Sequence, residues 1–521
     1  MFNNMKLMNL ILLLSFTLLS ACTGGADKNL ANRIRMRLPT EPPTLDWNLI
    51  TDNVSKEVIG NMQVGLLGHD QETKVEPALA ESWTTSEDLT VHTFTLRKDA
   101  IWSDGVPLEA QHFVDGWERA LNPATGSEYA YFLFDVKNAE DYQNGKVTDF
   151  SEVGVQAVDK HTLKVTLKGP VSYWLHIPTF WTTFPIRKDV VSKHGDKWTD
   201  PENIVTLGPY NLKERKRDSK IVLVKNDRFY GAASVSIPEI EFRIVKDDSV
   251  AVSLFDTGDL DIVRTLPPTQ LRSLASRPEF KQSPYLRLTY FGFNINDPAV
   301  KDPKVREALV KAIDREELVK LLHPMVQSTK SWIPLDLDGS NKDVGISTDI
   351  EGAKKIWAEI KNPPKKIALW FDQNETYKLV AENLQAQWKR NLGVEIELSS
   401  QEWKVYLKQI ASKAPAVWRL GWGADYPDPD TFMGMFKCNS GNNHTGFCSK
   451  RFDELVTKAS QIADMGERTK LYTEAQQIFL EKDIAMIPLF QEQSLHLVSQ
   501  RVEGFKVDLI GDFLFKRLRL K

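Results

Sequence analysis

The hydrophobic pattern along this chain of 521 residues alternates between the spacing of strands and that of helices. Residues 91–96 and 163–167 alternate between apolar and polar side chains, as expected of half-buried strands. Between them, the apolar residues of segment 108–121 recur at helical spacing, and Asn122-Pro123 follows as a stop signal. This part of the chain is therefore predicted to mix strands and helices.

The C-terminal half has a more regular pattern. It predicts strand 367–371, helix 375–392, strand 394–398, helix 403–410 and strand 416–420. This β-α-β-α-β order is the unit of a mostly parallel sheet covered by helices, in which ligands bind beyond the carboxyl ends of the strands. Residues 421–430 follow the last predicted strand and contain two glycines, two prolines, a tryptophan and three aspartates. We therefore expect a binding loop there.

An apolar run of 15 residues, from Leu7 to Ala21, precedes Cys22. Its length fits the apolar part of a secretory signal and is short for a membrane span. The Leu19-Ser20-Ala21-Cys22 box resembles the processing site of bacterial lipoprotein precursors. The resemblance implies a signal peptide over 1–21, a lipid on Cys22 and a polar tether over 22–30. An uncleaved anchor or a buried helix is the alternative, and either way the body lies outside the cytoplasmic membrane.

The composition, with 42% hydrophobic and 26% charged residues, is that of a globular protein whose length predicts two or three packed lobes. A net charge of -4 offers no attraction for nucleic acid or an anionic bilayer. Beyond the N-terminal segment, no apolar run approaches the ~18 residues of a membrane span. Any role in transport would therefore need another protein to supply the membrane path and the energy.

Cys438 and Cys448 flank a polar loop rich in glycine and asparagine. In an oxidising compartment they are expected to form a disulfide, which would stabilise the fold by roughly 3 kcal/mol. A metal site that includes His444 is the alternative, but two sulfurs and one histidine lack a fourth ligand of the usual spacing.

Several segments together resemble one protein family. Residues 77–83 (PALAESW) and 93–105 (TFTLRKDAIWSDG) closely resemble the characteristic block of the extracellular solute-binding proteins of family 5, the peptide-binding components of ABC importers. The similarity extends through 110–120 and returns at 296–315. Segments 401–404 and 421–426 are similar to the oligopeptide-binding members, whereas the cysteine pair with 452–455 is more similar to the dipeptide-binding members.

The resemblance implies an α/β fold of the periplasmic-binding-protein type II class (cluster C), in which two lobes close over a ligand about a hinge. Lobe I would comprise 31–63, 183–285 and 492–521, and lobe II would comprise 286–491. An extra domain, 64–182, would pack on lobe I. The implied protein is a monomer without enzymatic activity, cofactor or metal. It would capture short peptides in the periplasm or cell envelope and deliver them to a permease with its ATPase subunits.

A peptide enclosed between lobes needs an acceptor for its ammonium group and a donor for its carboxylate, because both lose their water. Asp425 occupies the position where the family places the aspartate that pairs with the ligand α-ammonium. The alternative is a loop carboxylate that caps a helix or faces solvent. Asp428 and Asp430 are predicted to cap helix 431–436. The three carboxylates lack the glycine and the distant glutamate of a calcium loop.

Other candidates surround the predicted binding loop. Gly421 and Gly423 allow close backbone approach, so their main-chain groups could pair with a peptide backbone. On the opposite rim, Thr51-Asp52-Asn53 aligns with the family's other peptide-pairing segment. The aromatic candidates for pocket walls, each of which could instead belong to the core, are Trp422, Trp403, Tyr129 and Tyr290.

Arg419 resembles a basic residue that some oligopeptide binders use on the ligand carboxylate, and the guanidinium fork suits that task. It could equally be the structural partner of a neighbouring acid. Ile410 and Thr376 stand where the family has further basic residues for longer ligands. This departure leaves the preferred peptide length open.

Two other classes remain as alternatives. A secreted hydrolase would need a nucleophile and base, but no Gly-x-Ser-x-Gly, His-Glu-x-x-His or suitably flanked Ser-x-x-Lys motif is present. Related binding proteins take murein peptides, nickel complexes, haem, opines or oligosaccharides, and a receptor or chaperone-like role without import is a further possibility. Asp425 favours a ligand with an amine, because an uncharged sugar would leave this carboxylate desolvated without compensation.

Overall fold

The computed structural model describes residues 32–322, 326–462 and 464–521. The predicted signal peptide, the Cys22 lipidation site and the tether lie outside these residues. In the described part of the chain, no helix has both the length and the apolar character that crossing a membrane requires.

The secondary structure, numbered in chain order, comprises strands and helices with short 3₁₀ turns between them. The described strands are β1 (Arg33–Leu38), β2 (Leu67–His69), β3 (Val75–Pro77), β4 (Ala80–Thr85), β5 (Val91–Leu96), β6 (Val155–Asp159), β7 (Thr162–Thr166), β8 (Tyr210–Lys216), β9 (Lys220–Lys225), β10 (Glu239–Ile244), β11 (Ile262–Arg264), β12 (Phe280–Phe293), β13 (Val326–Ser328), β14 (Lys366–Asp372), β15 (Glu395–Gln401), β16 (Val417–Gly423), β17 (Met486–Val498), β18 (Val502–Glu503) and β19 (Arg519–Leu520). The described helices are α1 (Asn53–Met62), α2 (Gln111–Leu121), α3 (Ala139–Gln143), α4 (Lys188–His194), α5 (Asp248–Asp256), α6 (Leu271–Leu274), α7 (Pro303–Lys311), α8 (Arg315–Leu322), α9 (Ile350–Glu359), α10 (Glu375–Leu392), α11 (Trp403–Lys413), α12 (Asp430–Met433), α13 (Lys450–Ser460) and α14 (Met465–Gln476).

Within the described residues, eleven strands form one mixed sheet in the order β15-β14-β16-β12-β17-β11-β1-β10-β9-β8, with β13 also paired to β17. Strands β14 to β16 make up one half of this sheet, and β1 with β8 to β11 make up the other. The two halves are joined by β12 and β17, the longest strands, which run antiparallel to each other. The α/β class predicted from the sequence is confirmed.

The pairing of β12 with β17 changes register where the two halves of the sheet meet. Residues 280–284 of β12 pair with the end of β17 that also contacts β11, and residues 288–292 pair with its beginning. The register shifts between Pro284 and Leu288, and the later part of β12 pairs with β16. Such an irregularity interrupts the ladder and bends the strands at this point.

A smaller antiparallel sheet lies apart from the large one, in the order β4-β5-β7-β6. Strand β5 has the predicted bounds, with His92, Phe94 and Leu96 buried on one face. The predicted helix 108–121 begins later, at Gln111, because the N–H groups of Leu108 and Ala110 bond to Ala100 and Lys160 instead.

The predicted β-α-β-α-β unit is confirmed as β14-α10-β15-α11-β16, in which β14 runs parallel to both β15 and β16. Helix α10 has the predicted bounds, and Gly393 follows it in the left-handed conformation at φ 72°. The prediction that β16 ends at Leu420 was wrong, because pairing with β12 continues it to Gly423. That antiparallel partner also makes the sheet mixed rather than mostly parallel.

The disulfide between Cys438 and Cys448 is present, as predicted. His444, the alternative metal ligand, instead packs its ring against Trp418, and burial lowers its pKa to about 4. The loop that this disulfide closes, residues 438–448, reaches the region of the smaller sheet, where Asn442 donates a hydrogen bond to the Tyr131 hydroxyl over 3.4 Å.

Candidate functional site

Four cavities follow one another along α1, and neighbouring cavities share lining residues. The Trp403 cavity (about 520 Å³) shares Asn53, Arg287 and Tyr377 with the Glu492 cavity (about 230 Å³). A small cavity at Tyr285 (about 50 Å³) connects the Glu492 cavity with the Asp425 cavity (about 150 Å³). We call this row of four cavities the cleft. It lies where the two halves of the large sheet meet.

Helix α1 forms one wall of the cleft because its polar side faces the cavities while its apolar side is buried. Asp52 begins the helix, since its carboxylate accepts hydrogen bonds from the N–H groups of Val54 and Ser55. Asn53 lines three of the four cavities, whereas Thr51 lines none of them. Of the predicted segment on this rim, only Asn53 has its side chain available to the cleft.

Strand β16 presents an unpaired edge on the other side of the cleft. The Ala424 N–H bonds to Leu286 of the β12 segment, so even-numbered residues of β16 turn their main-chain groups toward β12 and odd-numbered residues turn theirs away. On the outer side, the register with β14 reaches only Trp418. Gly421 and Gly423 therefore direct their N–H and C=O groups to an edge without a neighbouring described strand.

Glycine at position 421 also keeps side-chain volume out of the cleft. A Cβ atom there would lie 2.6 Å from a guanidinium nitrogen of Arg287. The two predicted glycines thus have the geometry needed to pair with an extended chain laid along β16.

Asp425 follows β16 by two residues and lines the cavity named after it. Its N–H donates to the Thr431 hydroxyl over 3.1 Å, which fixes the main chain at this point. The carboxyl oxygen Oδ2 is buried and has no hydrogen-bond partner among the described residues. Burial raises the pKa of Asp425 to about 7, and the positive charge of Lys56 offsets part of this rise.

Four of the cations that line the cleft are bound to the protein's own carboxylates at its walls. The four pairs are Lys56–Asp512 (2.7 Å), Arg264–Glu57 (3.1 Å), Arg287–Glu492 (3.3 Å) and Arg419–Asp372 (3.0 Å). Asp425 differs from these carboxylates because it makes no ion pair within the described part of the chain. Its buried carboxyl group is thus available to a cation from outside.

Arg419 is held tightly at the Trp403 cavity. Its guanidinium group binds Asp372, lies over the ring of Tyr377 at 2.9 Å from the ring centroid, and is almost fully buried. Its Nε atom lacks a hydrogen-bond partner in the described structure. These direct contacts favour the interpretation in which Arg419 is the structural partner of a neighbouring acid.

The four aromatic candidates fall in different places. Trp403 is half-buried and lines its cavity. The indole N–H of Trp422 donates to the Thr431 carbonyl over 2.9 Å, and the Trp422 ring stacks on that of Tyr129. Tyr129 in turn packs on Trp181, which lines the Asp425 cavity. Tyr290 has no exposed surface and packs between two tryptophans, so the prediction that it lines a pocket was wrong.

The capping role predicted for two aspartates is only partly met. Helix α12 begins at Asp430, whose N–H bonds to Asp428 over 2.9 Å. Asp428 also forms a buried ion pair with Arg468 at 2.6 Å. Asp430 accepts from the Tyr426 hydroxyl instead of capping the helix, and burial raises its pKa to about 6.

Sequence reasoning missed several residues of the cleft, including Lys56, Tyr285, Arg287 and Tyr377. Asp372 could have been found, because it ends the strand that runs parallel to β16, two residues beyond Trp370, which is level with Trp418. Thr376 lines the Glu492 cavity without adding charge, and Ile410 is buried on α11. Neither position therefore supplies the positive charge that the family places there for longer ligands.

Comparisons with known proteins identify the family and the fold of this chain. The sequence model of the bacterial extracellular solute-binding proteins, family 5 (middle region), matches residues 74–444. The periplasmic oligopeptide-binding protein OppA of Escherichia coli (strain K12) is 32% identical over 481 residues, covering 89% of this chain and 88% of that protein. The structure of Haemophilus influenzae OppA in complex with the peptide RPPGFSPFR has a TM-score of 0.89 at 29% identity, covering 94% of this chain and 99% of that one.

Two structures of the murein tripeptide binding protein MppA match this chain with different TM-scores. That of the Escherichia coli protein matches with a TM-score of 0.89 at 26% identity, covering 94% of this chain and 98% of that one. A structure described as the unliganded open form matches with only 0.66 at 27% identity, covering 94% and 97%. The overall arrangement of this chain therefore differs more from that open form than from the other MppA structure.

Proposed function

We propose that this chain, which belongs to the bacterial extracellular solute-binding proteins of family 5, is the substrate-binding component of an ABC importer and captures short peptides between two lobes. The observation that carries the proposal is the buried carboxyl group of Asp425, which lines the cleft and has no cation of its own within 4 Å among the described residues. A peptide α-ammonium is the complementary group.

The bound peptide lies extended along β16. Its ammonium group pairs with Asp425, and its main-chain groups bond to Gly421 and Gly423 as an added strand would. Asn53 faces it from the opposite wall. Because the middle of the cleft is lined by ion pairs that are already closed, ligand side chains meet no strong unpaired charge there, which suits peptides of varied sequence.

The far end of the ligand reaches the Trp403 cavity, the largest of the four. Trp403 forms a wall for side chains, and Trp422 with Tyr129 supports the wall at the ammonium end. Arg419 shares its charge with Asp372, so we assign it a positioning role beneath Tyr377 rather than that of the main anchor for the carboxylate.

Closure of two lobes couples binding to transport. We assign lobe I to 31–63, 183–285 and 492–521, lobe II to 286–491 and the extra domain to 64–182. The register shift in β12 between Pro284 and Leu288 lies at this boundary and supports a hinge there. A ligand that contacts both walls shifts the equilibrium toward the closed form, which the permease recognises.

The remaining parts of the proposal concern location and partners. A signal peptide over 1–21 would be cleaved, and a lipid on Cys22 would then hold the monomer at a membrane of the cell envelope, beside a permease and its ATPase subunits. Capture requires no covalent chemistry, cofactor or metal. These assignments are supported by the N-terminal sequence and by the periplasmic relatives.

Native mass spectrometry of the protein purified from cells tests the proposed function. We expect bound species whose masses differ by amino-acid residues, and their loss on mild unfolding. A single bound mass without peptide fragments, such as a metal complex or a sugar, would contradict the peptide proposal and favour another solute of the same family.

A further inference from the structure

The Asp425 cavity is lined by several charged side chains, and most of them are paired within the protein. Its walls are aromatic at Phe180, Trp181 and Tyr230. Lys56 binds Asp512 at 2.7 Å, and Arg517 binds Glu76 at 3.2 Å. These four residues therefore offer no unpaired charge to a ligand.

Two further titratable side chains in this cavity are also satisfied or neutral. Asp508 accepts hydrogen bonds from the N–H groups of Ile510 and Asp512, at 3.1 and 2.8 Å, and so closes its own turn. His69 shares a hydrogen bond of 2.9 Å with His176, and burial lowers its pKa to about 3, which keeps it uncharged at neutral pH.

Lys516 is the exception. It lies on the 3₁₀ turn Phe515–Arg517, which is anchored to α1 because the Phe515 N–H bonds to the Asn61 side chain over 3.1 Å. Its side chain lines the Asp425 cavity, yet among the described residues it makes no hydrogen bond and no ion pair within 4 Å. Burial lowers its pKa, and the neighbouring charge of Arg517 lowers it further.

We propose that Lys516 is a specificity-determining residue that favours peptides whose first residue has an acidic side chain. The inference rests on the proposed function, since it requires the ligand ammonium on Asp425. With the ammonium held there, the first side chain enters the cavity that Lys516 lines. A carboxylate on that side chain supplies the acceptor that the lysine lacks.

The same geometry predicts discrimination against a neutral isostere. A glutamine side chain has the shape of glutamate but no charge, so it leaves the lysine ammonium without a counterion in a partly buried site. A lysine side chain in the same place would add a like charge. Aromatic walls accommodate the apolar part of any of these side chains and therefore contribute little to the choice.

Calorimetric titration with Glu-Ala-Ala, Gln-Ala-Ala and Ala-Ala-Ala tests the inference on the mature protein. We expect Glu-Ala-Ala to bind about tenfold more tightly than Gln-Ala-Ala. In Lys516→Met, which keeps the length of the side chain and removes its charge, the two affinities should become equal, while that of Ala-Ala-Ala should change little. Lys521→Met, an exposed lysine outside the cavity, is the matched control and should keep the preference.

The possible failures are distinguishable. Equal affinities for the glutamate and glutamine peptides in the wild-type protein would overturn the role of Lys516 and leave the peptide-binding proposal intact. A preference that survives in Lys516→Met would do the same. The absence of binding by all three peptides would overturn the proposed function itself. The wild-type comparison does not depend on the folding of any variant.

Discussion

Asp425 is a buried carboxyl group whose Oδ2 atom has no hydrogen-bond partner among the described residues, although it lines the cleft. Other acids, such as Asp428 and, at the Trp403 cavity, Asp372, are bound to arginines of the protein. A carboxyl group without such a partner costs stability unless a ligand supplies one. At the scale of single residues, the difference between Asp425 and these ion-paired acids is the main argument that a ligand cation binds to Asp425.

The substitution Asp425→Asn should weaken peptide binding by about 2–5 kcal/mol, because the ligand ammonium would then be buried without a counter-charge. Isothermal titration calorimetry measures the change. Asp430→Asn is a matched control, since Asp430 is also buried but lines a separate cavity. Equal affinity of Asp425→Asn and wild type would show that the ammonium binds elsewhere.

Peptide affinity should depend on pH with a defined sign. The pKa of Asp425, about 7 through burial, makes the carboxyl largely protonated at pH 6, so binding of an ammonium group must displace a proton. Affinity should therefore rise between pH 6 and 7, by up to about tenfold per pH unit, and fall again above about pH 8 as the peptide amine itself loses its proton. Titrations in buffers of different ionisation enthalpy would report the released proton. A flat profile from pH 5.5 to 7.5 would contradict this role of Asp425.

At the scale of elements, the unit from β14 to β16 was predictable because local periodicity determines it. Glu375–Leu392 has a helical stripe and a glycine after it, and both bounds follow from these signals. The extension of β16 to Gly423 was not predictable, since it depends on pairing with β12, more than a hundred residues away. For the same reason Tyr290 was misplaced: its strand lies in the middle of the sheet, under two tryptophans.

The disulfide that closes the loop between Cys438 and Cys448 offers a test of stability at this scale. The double variant Cys438→Ser/Cys448→Ser should lower the free energy of unfolding by roughly 2–3 kcal/mol, because the open loop gains conformational freedom in the unfolded chain. Urea denaturation followed by tryptophan fluorescence measures the loss. Addition of a reductant to the wild type should reproduce it, and an unchanged midpoint would show that the disulfide does not stabilise the fold.

At the scale of the whole molecule, the large sheet joins two halves through β12 and β17, and the cleft lies between them. No local pattern in the sequence predicts this sheet, because its pairs join residues about 200 positions apart, such as Tyr290 and Pro488. The resemblance to a family supplied the two-lobed architecture instead. The positions of Lys56 and Lys516 in the Asp425 cavity follow only from the folded chain.

Closure should be visible in solution. Small-angle X-ray scattering of the peptide-free protein should give a larger radius of gyration than that of the protein saturated with a tripeptide, because an open form exposes the cleft. The described structure differs from the open form of a relative and should fit the scattering of the complex. Identical profiles with and without peptide would contradict a closure mechanism.

The most direct test compares the affinity of one tripeptide with that of its N-acetylated form by calorimetry. Acetylation removes the positive charge and leaves the side chains and the C-terminus unchanged. We predict a loss of at least about 2 kcal/mol for the acetylated peptide, since Asp425 would then be desolvated without a counterion. Equal affinity of the two forms would contradict the claim that this carboxyl group receives the ligand ammonium.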